Sequence, residues 1–363
     1  MNILFFGPLP PAFHGQSIAF QKATEINSDQ KIIINTNLTG KNKLKKIILS
    51  FFIFINLFFV FLFKTKIDIV YFTCSRSAMG SVKDIVLLQL AGFFKIPVVN
   101  HLHGADFKDF INNVPEFYQA ILKNSYNNVC HSIVLIDAMR VQFDMFPDMK
   151  VSVVRNFFSH DFGLNKKINS KSEYVSFVFL SNIMKTKGIF ILFEAFLILK
   201  KKYPKIELNI AGIVLGDCEL NASNTLALFN NYLNISNDVN YFGEVLGDSK
   251  YKLLASSSVL VLPSFYMSEA IPLSIIEAMA AGCAIITTNH NYLPCLVGPG
   301  NGLLAEPNNS ASLLEAMEQY MLFPNLMKTH QLNNVEYAAV NFSEDAYLSG
   351  IERVIEQVIK DRN

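Results

Sequence analysis

Two glutamates eight residues apart, Glu269 and Glu277, stand where a strand gives way to a helix. The apolar run Val259–Leu262 reads as a buried strand of a parallel sheet. Pro263-Ser264 breaks it, and Pro272 is expected as the first helical residue, its φ already set for a helix. From Leu273 the pattern is helical, with Ile275, Ile276 and Met279 apolar, until Gly282 supplies a stop. At about 1.5 Å per residue, Glu277 lies roughly 7–8 Å along the axis from Pro272. Free N–H groups and the macrodipole at that helix start favour an anion such as a diphosphate. A carboxylate beside bound phosphate would repel it, so each glutamate is expected to face hydroxyls. The ligand this combination fits is a sugar joined to a nucleoside through a diphosphate.

Other chemistry-bearing residues also fall at strand ends. Val98–Gly104 closes a strand with His101 and His103 on one side, because strand side chains alternate. Two histidines so spaced can bind zinc, but no third ligand is suggested nearby, and His101 reads as structural. The loop Ile183–Gly188 carries Lys185 and Lys187, and the loop Gly7–Ser17 carries Gly15 and Gln16 ahead of a helix. No G-x-G-x-x-G is present, which argues against a dinucleotide oxidoreductase, and no D-x-D is present to hold a divalent metal. A net charge of +1 gives no basic field for nucleic acid. The five cysteines lack C-x-x-C spacing, so neither a disulfide framework nor a zinc site is indicated, which suits a reducing cytosol. The start, MNILFFGPLPP, lacks the basic region and long apolar run of a signal peptide.

The elements that must position these residues alternate regularly. Strands are expected at 2–6, 31–36, 67–73, 97–102, 132–136 and 151–155, with helices near 15–26, 43–63, 80–94 and 115–127. After a polar linker at 165–172 the alternation restarts: strands 174–181, 206–211, 239–242 and 259–262, with helices 188–202, 221–233 and 248–256 between. Such alternation means doubly wound parallel sheets with ligands at the carboxyl ends of strands. For 363 residues, two domains are expected, 1–165 and 166–345, with a last helix at 346–363 able to pack back on the first.

Set between strand and helix, with PS before the first glutamate and EAMAAG around the second, Glu269-x7-Glu277 resembles the E-x7-E element of the family-4 retaining glycosyltransferases. The resemblance implies a GT-B architecture: two Rossmann-like α/β domains facing a cleft. His103-Gly104 matches the family's HG, whose histidine lies near the reacting sugar. Lys187-Gly188 matches the end of G-R-x-x-x-x-K-G, where Arg and Lys neutralise the leaving diphosphate. Asn182 stands in place of that arginine, with Lys185 as a substitute charge. Gly243 resembles the turn against the nucleobase, and Gly15 the first glycine of a PP…GG loop whose second is here Gln16. Pro272 replaces a frequent glycine, leaving donor contacts to the amides of Ile271, Leu273 and Ser274, and Cys295 stands where the family often has a glutamate. The implied reaction transfers a sugar from a UDP- or GDP-linked donor with retention, without metal or cofactor. His103, Lys187 and Glu269 would act at the reacting sugar and Glu277 would hold the ribose. Front-face attack, with a leaving phosphate oxygen taking the acceptor proton, is the family's expectation. An inactive GT-B-like subunit of a polysaccharide assembly complex is the alternative that Asn182, Pro272 and Cys295 favour.

Ile47–Phe63 is uncharged over 17 residues, with Lys43, Lys45 and Lys46 before it and Lys64 and Lys66 after. That is the lower limit for spanning a bilayer, and spanning would put strands of one sheet on opposite sides. The expectation is a helix lying in the interface of the cytoplasmic membrane, its lysines on anionic head groups. From that placement follows a lipid-linked saccharide acceptor, as in capsule, O-antigen or exopolysaccharide synthesis.

Overall fold

The computed structural model describes all residues except 12, 13, 39, 41, 64, 65, 160–173, 236 and 363, and the side chain of Lys43. The expected linker, 165–172, lies outside the described residues. The chain divides into two compact units, Met1–Asn156 with Asp345–Asn363, and Phe157–Glu344.

In the first unit, β1 (Asn2–Gly7), α1 (Gly15–Ala23), β2 (Gln30–Asn35), α2 (Lys43–Phe63), β3 (Ile69–Thr73), α3 (Ala78–Phe93), β4 (Val98–His101), α4 (Phe107–Asn113), α5 (Glu116–Tyr126), β5 (His131–Val134) and β6 (Lys150–Val153) follow in order. The strands form one parallel sheet in the order β2-β1-β3-β4-β5-β6. Its core strands are buried on both faces, as in β3 (IVYFT) and β4 (VVNH), which is why they read as continuous apolar runs. A two-turn insertion, α4, was not anticipated: the sequence carries no apolar period there long enough to mark a helix. The terminal residues belong to this unit, where the Tyr347 hydroxyl donates to the Ala19 carbonyl at 2.8 Å and Lys150 pairs with Asp361 at 2.7 Å.

The second unit repeats the plan with β7 (Val175–Leu180), α6 (Ile189–Lys202), β8 (Ile206–Ala211), α7 (Ala222–Leu233), β9 (Val239–Tyr241), α8 (Gly247–Ser256), β10 (Val259–Leu262), α9 (Leu273–Ala280), β11 (Ala284–Thr288), α10 (Leu293–Leu296), β12 (Gly302–Ala305), α11 (Ser310–Leu322) and α12 (Pro324–Asn341), before α13 (Glu344–Lys360). The parallel order is β12-β11-β10-β7-β8-β9. Each sheet changes direction once, at β1/β3 in the first unit and at β7/β10 in the second. In open α/β sheets the crevice outside the carboxyl ends of the strands at such a switch point is where ligands bind.

α2 is the exception to burial. Leu57, Val60 and Phe61 are buried, whereas Phe51, Phe52, Phe58, Phe59 and Phe63 are each more than half exposed. Among the described residues it is the one helix long and apolar enough to cross a membrane by length and composition, yet only 17% of its apolar window is buried. β2 and β3, which it connects, both pair with β1, so α2 runs beside one sheet.

Candidate functional site

The switch point of the second unit gathers the residues that the sequence singles out there. β7 ends at Leu180 and leads through Asn182 into the single 3₁₀ turn Lys185–Lys187. Gly188 follows at φ 81°, and a Cβ there would lie 2.1 Å from the Pro263 carbonyl oxygen, so only glycine lets the two strand ends come together. Lys187 Nζ then reaches Glu269 Oε2 at 2.6 Å and lies 4.9 Å from the centre of the Tyr266 ring. The same carboxylate oxygen accepts from Ser264 Oγ at 2.6 Å. Glu269 Oε1 has no hydrogen-bond partner among the described residues.

Glu277 is buried within α9, and burial pushes its carboxyl upward while Lys250 beside it works in the opposite direction. Lys250 Nζ, from α8, is 2.5 Å from Glu277 Oε1, leaving Oε2 without a partner among the described residues. Each glutamate thus has one oxygen held by a lysine and one left over. Neither remaining oxygen is among the closed-off polar atoms that lack a partner, so each is open at the edge of its buried residue, where a ligand group can reach it. Lys250 was not legible in the sequence. It sits on a short helix of weak pattern, and only the packing of α8 against α9 brings it to the glutamate.

Pro272 is not the first helical residue. Its ψ of 130° is extended, and it stands as the N-cap with no side-chain hydrogen bond to the helix. In the first turn of α9 the Ile275 N–H donates to the Pro272 carbonyl at 3.2 Å, which leaves the N–H groups of Leu273 and Ser274 at the carboxyl edge of the sheet. Ile271 is buried just before them. The loop carrying Glu269 is pinned from behind: Asn291 Nδ2 donates to the Met267 carbonyl at 2.7 Å, and His290 Nε2 lies 3.0 Å from the Tyr266 carbonyl. These two residues follow β11 in the segment where the sequence lacked the expected glutamate. Gly243, at φ 67°, ends the turn after β9. The Lys185 ammonium is paired with Glu219 at 2.9 Å, both side chains part-exposed.

The first unit assembles its own polar corner. His14 caps α1 with Nδ1 accepting from the Ser17 N–H, and Gly15 and Gln16 open that helix. Arg76, after β3, pairs with Asp106 at 2.6 Å and lies flat on the backbone of Gly104, where any Cβ would strike the guanidinium. Burial, and then the charge of Arg76, hold the His103 imidazole down at about 3, so it is neutral at physiological pH. The Nε2 atoms of His101 and His103 are closed off from solvent without partners. His101 Nδ1 meets the Tyr71 hydroxyl at 2.7 Å and its ring is buried, as a structural residue would be. Arg76 and Asp106 escaped the sequence reading because loops after different parallel strands meet only in three dimensions. Among the described residues no group of three or more His, Cys, Asp or Glu side chains could hold a metal ion.

Residues 163–335 match the family model for glycosyl transferases group 1. An uncharacterized glycosyltransferase of Haemophilus influenzae is 29% identical over 201 residues, 53% of this chain and 50% of its own length. An O-antigen chain mannosyltransferase B of Escherichia coli is 36% identical over 84 residues, 22% of this chain and 21% of that protein. The chain therefore spans half or less of the length of these relatives. In structure it is similar to Anabaena HepE, solved in complex with UDP-glucose, at a TM-score of 0.76 and 16% identity over 98% of this chain and 99% of that one. The second unit thus carries the sequence pattern of group 1 glycosyltransferases, and the chain has the α/β fold of the GT-B enzymes.

Proposed function

We propose that the protein is a family-4-type retaining glycosyltransferase that moves a sugar from a UDP- or GDP-linked donor to a lipid-linked saccharide. The observation that carries this reading is the pair Glu269 and Glu277, buried at the switch point around the start of α9. Each keeps one carboxylate oxygen for a ligand hydroxyl. The N–H groups of Leu273 and Ser274 suit the donor diphosphate between them. Glu269 holds hydroxyls of the donor sugar, Glu277 those of the ribose, and Gly243 lies toward the base. As the diphosphate departs, charge builds on its oxygens, and Lys187 with the helix start stabilises it. The 2.6 Å contact between Lys187 and Glu269 supports a cation held beside the sugar site before the reaction begins. Asn182 contributes a neutral amide from the same unit. A neutral His103 can accept or donate one hydrogen bond at its ring nitrogen but brings no charge of its own. Attack on the same face, with a phosphate oxygen taking the acceptor proton, needs no protein nucleophile and no metal.

The bilayer reading rests on α2. Its exposed phenylalanines and its lysines suit the interface of an anionic leaflet, placing the protein on the inner face of the cytoplasmic membrane. The likeness to an O-antigen mannosyltransferase supports a role in bacterial surface polysaccharide synthesis. The test is incubation with UDP- and GDP-sugars and an undecaprenyl-linked saccharide, following nucleotide release and product anomeric configuration by NMR. Nucleotide release with retained configuration is expected; inversion, or no release with any donor, would reject the assignment.

A further inference from the structure

The loop after β8 grips the turn that presents Lys187. The two segments first run side by side, the Ile183 N–H donating to the Ile213 carbonyl at 2.8 Å and the Leu215 N–H to the Ile183 carbonyl at 3.0 Å. That pairing stops at Ile183, before the Lys185–Lys187 turn begins. The opening N–H groups of a helical turn have no partner within it, and no side chain of this turn caps them. Asp217 supplies the partner from the other loop. Its Oδ2 accepts from both the N–H and the hydroxyl of Thr186, each at 2.8 Å. Its Oδ1 accepts from the N–H groups of Glu219 and Leu220, each at 2.9 Å, which fixes the carboxylate on its own loop. Burial works against the Asp217 charge, but the Thr186 donors and then the Leu220 and Glu219 N–H groups outweigh it and hold the carboxyl below its ordinary range.

Thr186 is buried, and its other side is clamped as well, its carbonyl accepting from the Phe265 N–H at 2.8 Å. Phe265 lies in the loop after β10 that carries Tyr266 and Glu269, the two groups against which Lys187 Nζ rests. One buried threonine thus joins the loops after β7, β8 and β10, and the lysine next to it in sequence makes the contact with Glu269. The pair Lys185–Glu219 bridges the first two of these loops from outside, but both of its side chains are more than 40% exposed, where an ion pair holds little. Bonds to an ionised carboxylate are the stronger kind, and removing this one would leave a buried hydroxyl without a partner.

We infer that Asp217 is a positioning residue for sugar transfer: through Thr186 it fixes the turn that aims Lys187 at Glu269 and at the leaving diphosphate. This rests on the role proposed above for Lys187. Two variants loosen the link without changing its size. Asp217→Asn has one acceptor oxygen in place of two, so either Thr186 or the Glu219 and Leu220 N–H groups lose their partner. Thr186→Val removes the hydroxyl and keeps the branched shape. Competitive acetylation with acetic anhydride, read lysine by lysine by mass spectrometry, reports how firmly Lys187 is held. Lys187 should react severalfold faster in both variants. Lys250, also 14% exposed and paired with Glu277, should react as in the wild type. Thr186→Ser keeps both donors and should protect Lys187 as the native residue does. In nucleotide release from the donor, Asp217→Asn should lower kcat with little change in KM, by up to about 10²-fold, the cost of moving a catalytic group by about 1 Å. Added to Lys187→Met, it should cost almost nothing more, because it acts through that lysine. Unchanged Lys187 labelling in both variants, Lys187 and Lys250 rising together, or a kcat loss that adds in full to that of Lys187→Met would each overturn the inference. Wild-type kcat in Lys187→Met, or no release from any donor, overturns instead the role of Lys187 itself, and the labelling still decides whether Asp217 holds the turn.

Discussion

Replacing Lys250 by Met removes the cation that compensates a buried carboxylate while keeping an apolar side chain of similar length. In the native protein the Lys250 and Glu277 side chains are only 14% and 8% exposed and their charged atoms are 2.5 Å apart. Leaving such a carboxylate unpaired costs about 3–5 kcal/mol. Glu277 can limit that cost by taking up a proton. Relative to an unfolded carboxyl of about pH 4.3, protonation costs about 3.7 kcal/mol at pH 7 and about 1 kcal/mol at pH 5. Burial already raises the Glu277 pKa, and loss of Lys250 raises it further. A raised carboxyl contributes most to stability at low pH and loses that contribution as pH rises through its folded value. The variant should therefore be destabilised by roughly 3–4 kcal/mol at pH 7 and by about 1 kcal/mol at pH 5, relative to wild type at the same pH. Urea unfolding at both pH values measures this, with Lys250→Met/Glu277→Gln as the control that removes the buried charge and recovers most of the loss. A pH-independent loss, or a double variant as unstable as Lys250→Met, would refute the idea that Lys250 acts through the Glu277 charge.

Glu269→Ala should lower kcat more than it raises the donor KM, by about 10²-fold or more, because its contacts strengthen as the sugar flattens toward an oxocarbenium ion. Steady-state kinetics with one donor decide it, and equal losses in both constants would make it a binding residue. His103 is held neutral down to about 3 and His131 to about 4, while the unfolded chain takes up those protons near 6.5, so stability should fall as pH drops below about 6.5. His103→Gln should flatten that acid limb in urea midpoints, and an unchanged limb would contradict the burial argument. EDTA should leave transfer intact; full loss restored by magnesium would show that a metal takes part.

Much of this architecture could be read from the chain because parallel strands buried on both faces announce themselves as apolar runs. The boundaries of α2 fell where its flanking lysines and uninterrupted apolar residues placed them. The places of Glu269 and Glu277 were legible because both lie in one contiguous strand–loop–helix unit. What escaped depends on convergence of distant segments. Lys250 meets Glu277 only through helix packing, and Arg76 meets Gly104 only where two loops close on each other. His290 and Asn291 hold the Glu269 loop by bonds to its carbonyls, which no residue pattern encodes. Pro272 was misplaced by one position because its fixed φ suits both an N-cap and a first helical residue, and only ψ distinguishes them. The pairing of Lys185 with Glu219 likewise joins two separate loops, which no local pattern encodes.

The central claim is that Glu277 and the start of α9 hold a nucleotide-sugar, and thermal unfolding with a panel of UDP- and GDP-sugars tests it most directly. A donor at 100 times its dissociation constant should stabilise the native protein by about 2.7 kcal/mol, seen as a rise in Tm. Glu277→Ala, folded as judged by circular dichroism, should lose most of that rise at the same donor concentration. A rise as large in Glu277→Ala as in the wild type, or no rise with any donor, would contradict the account.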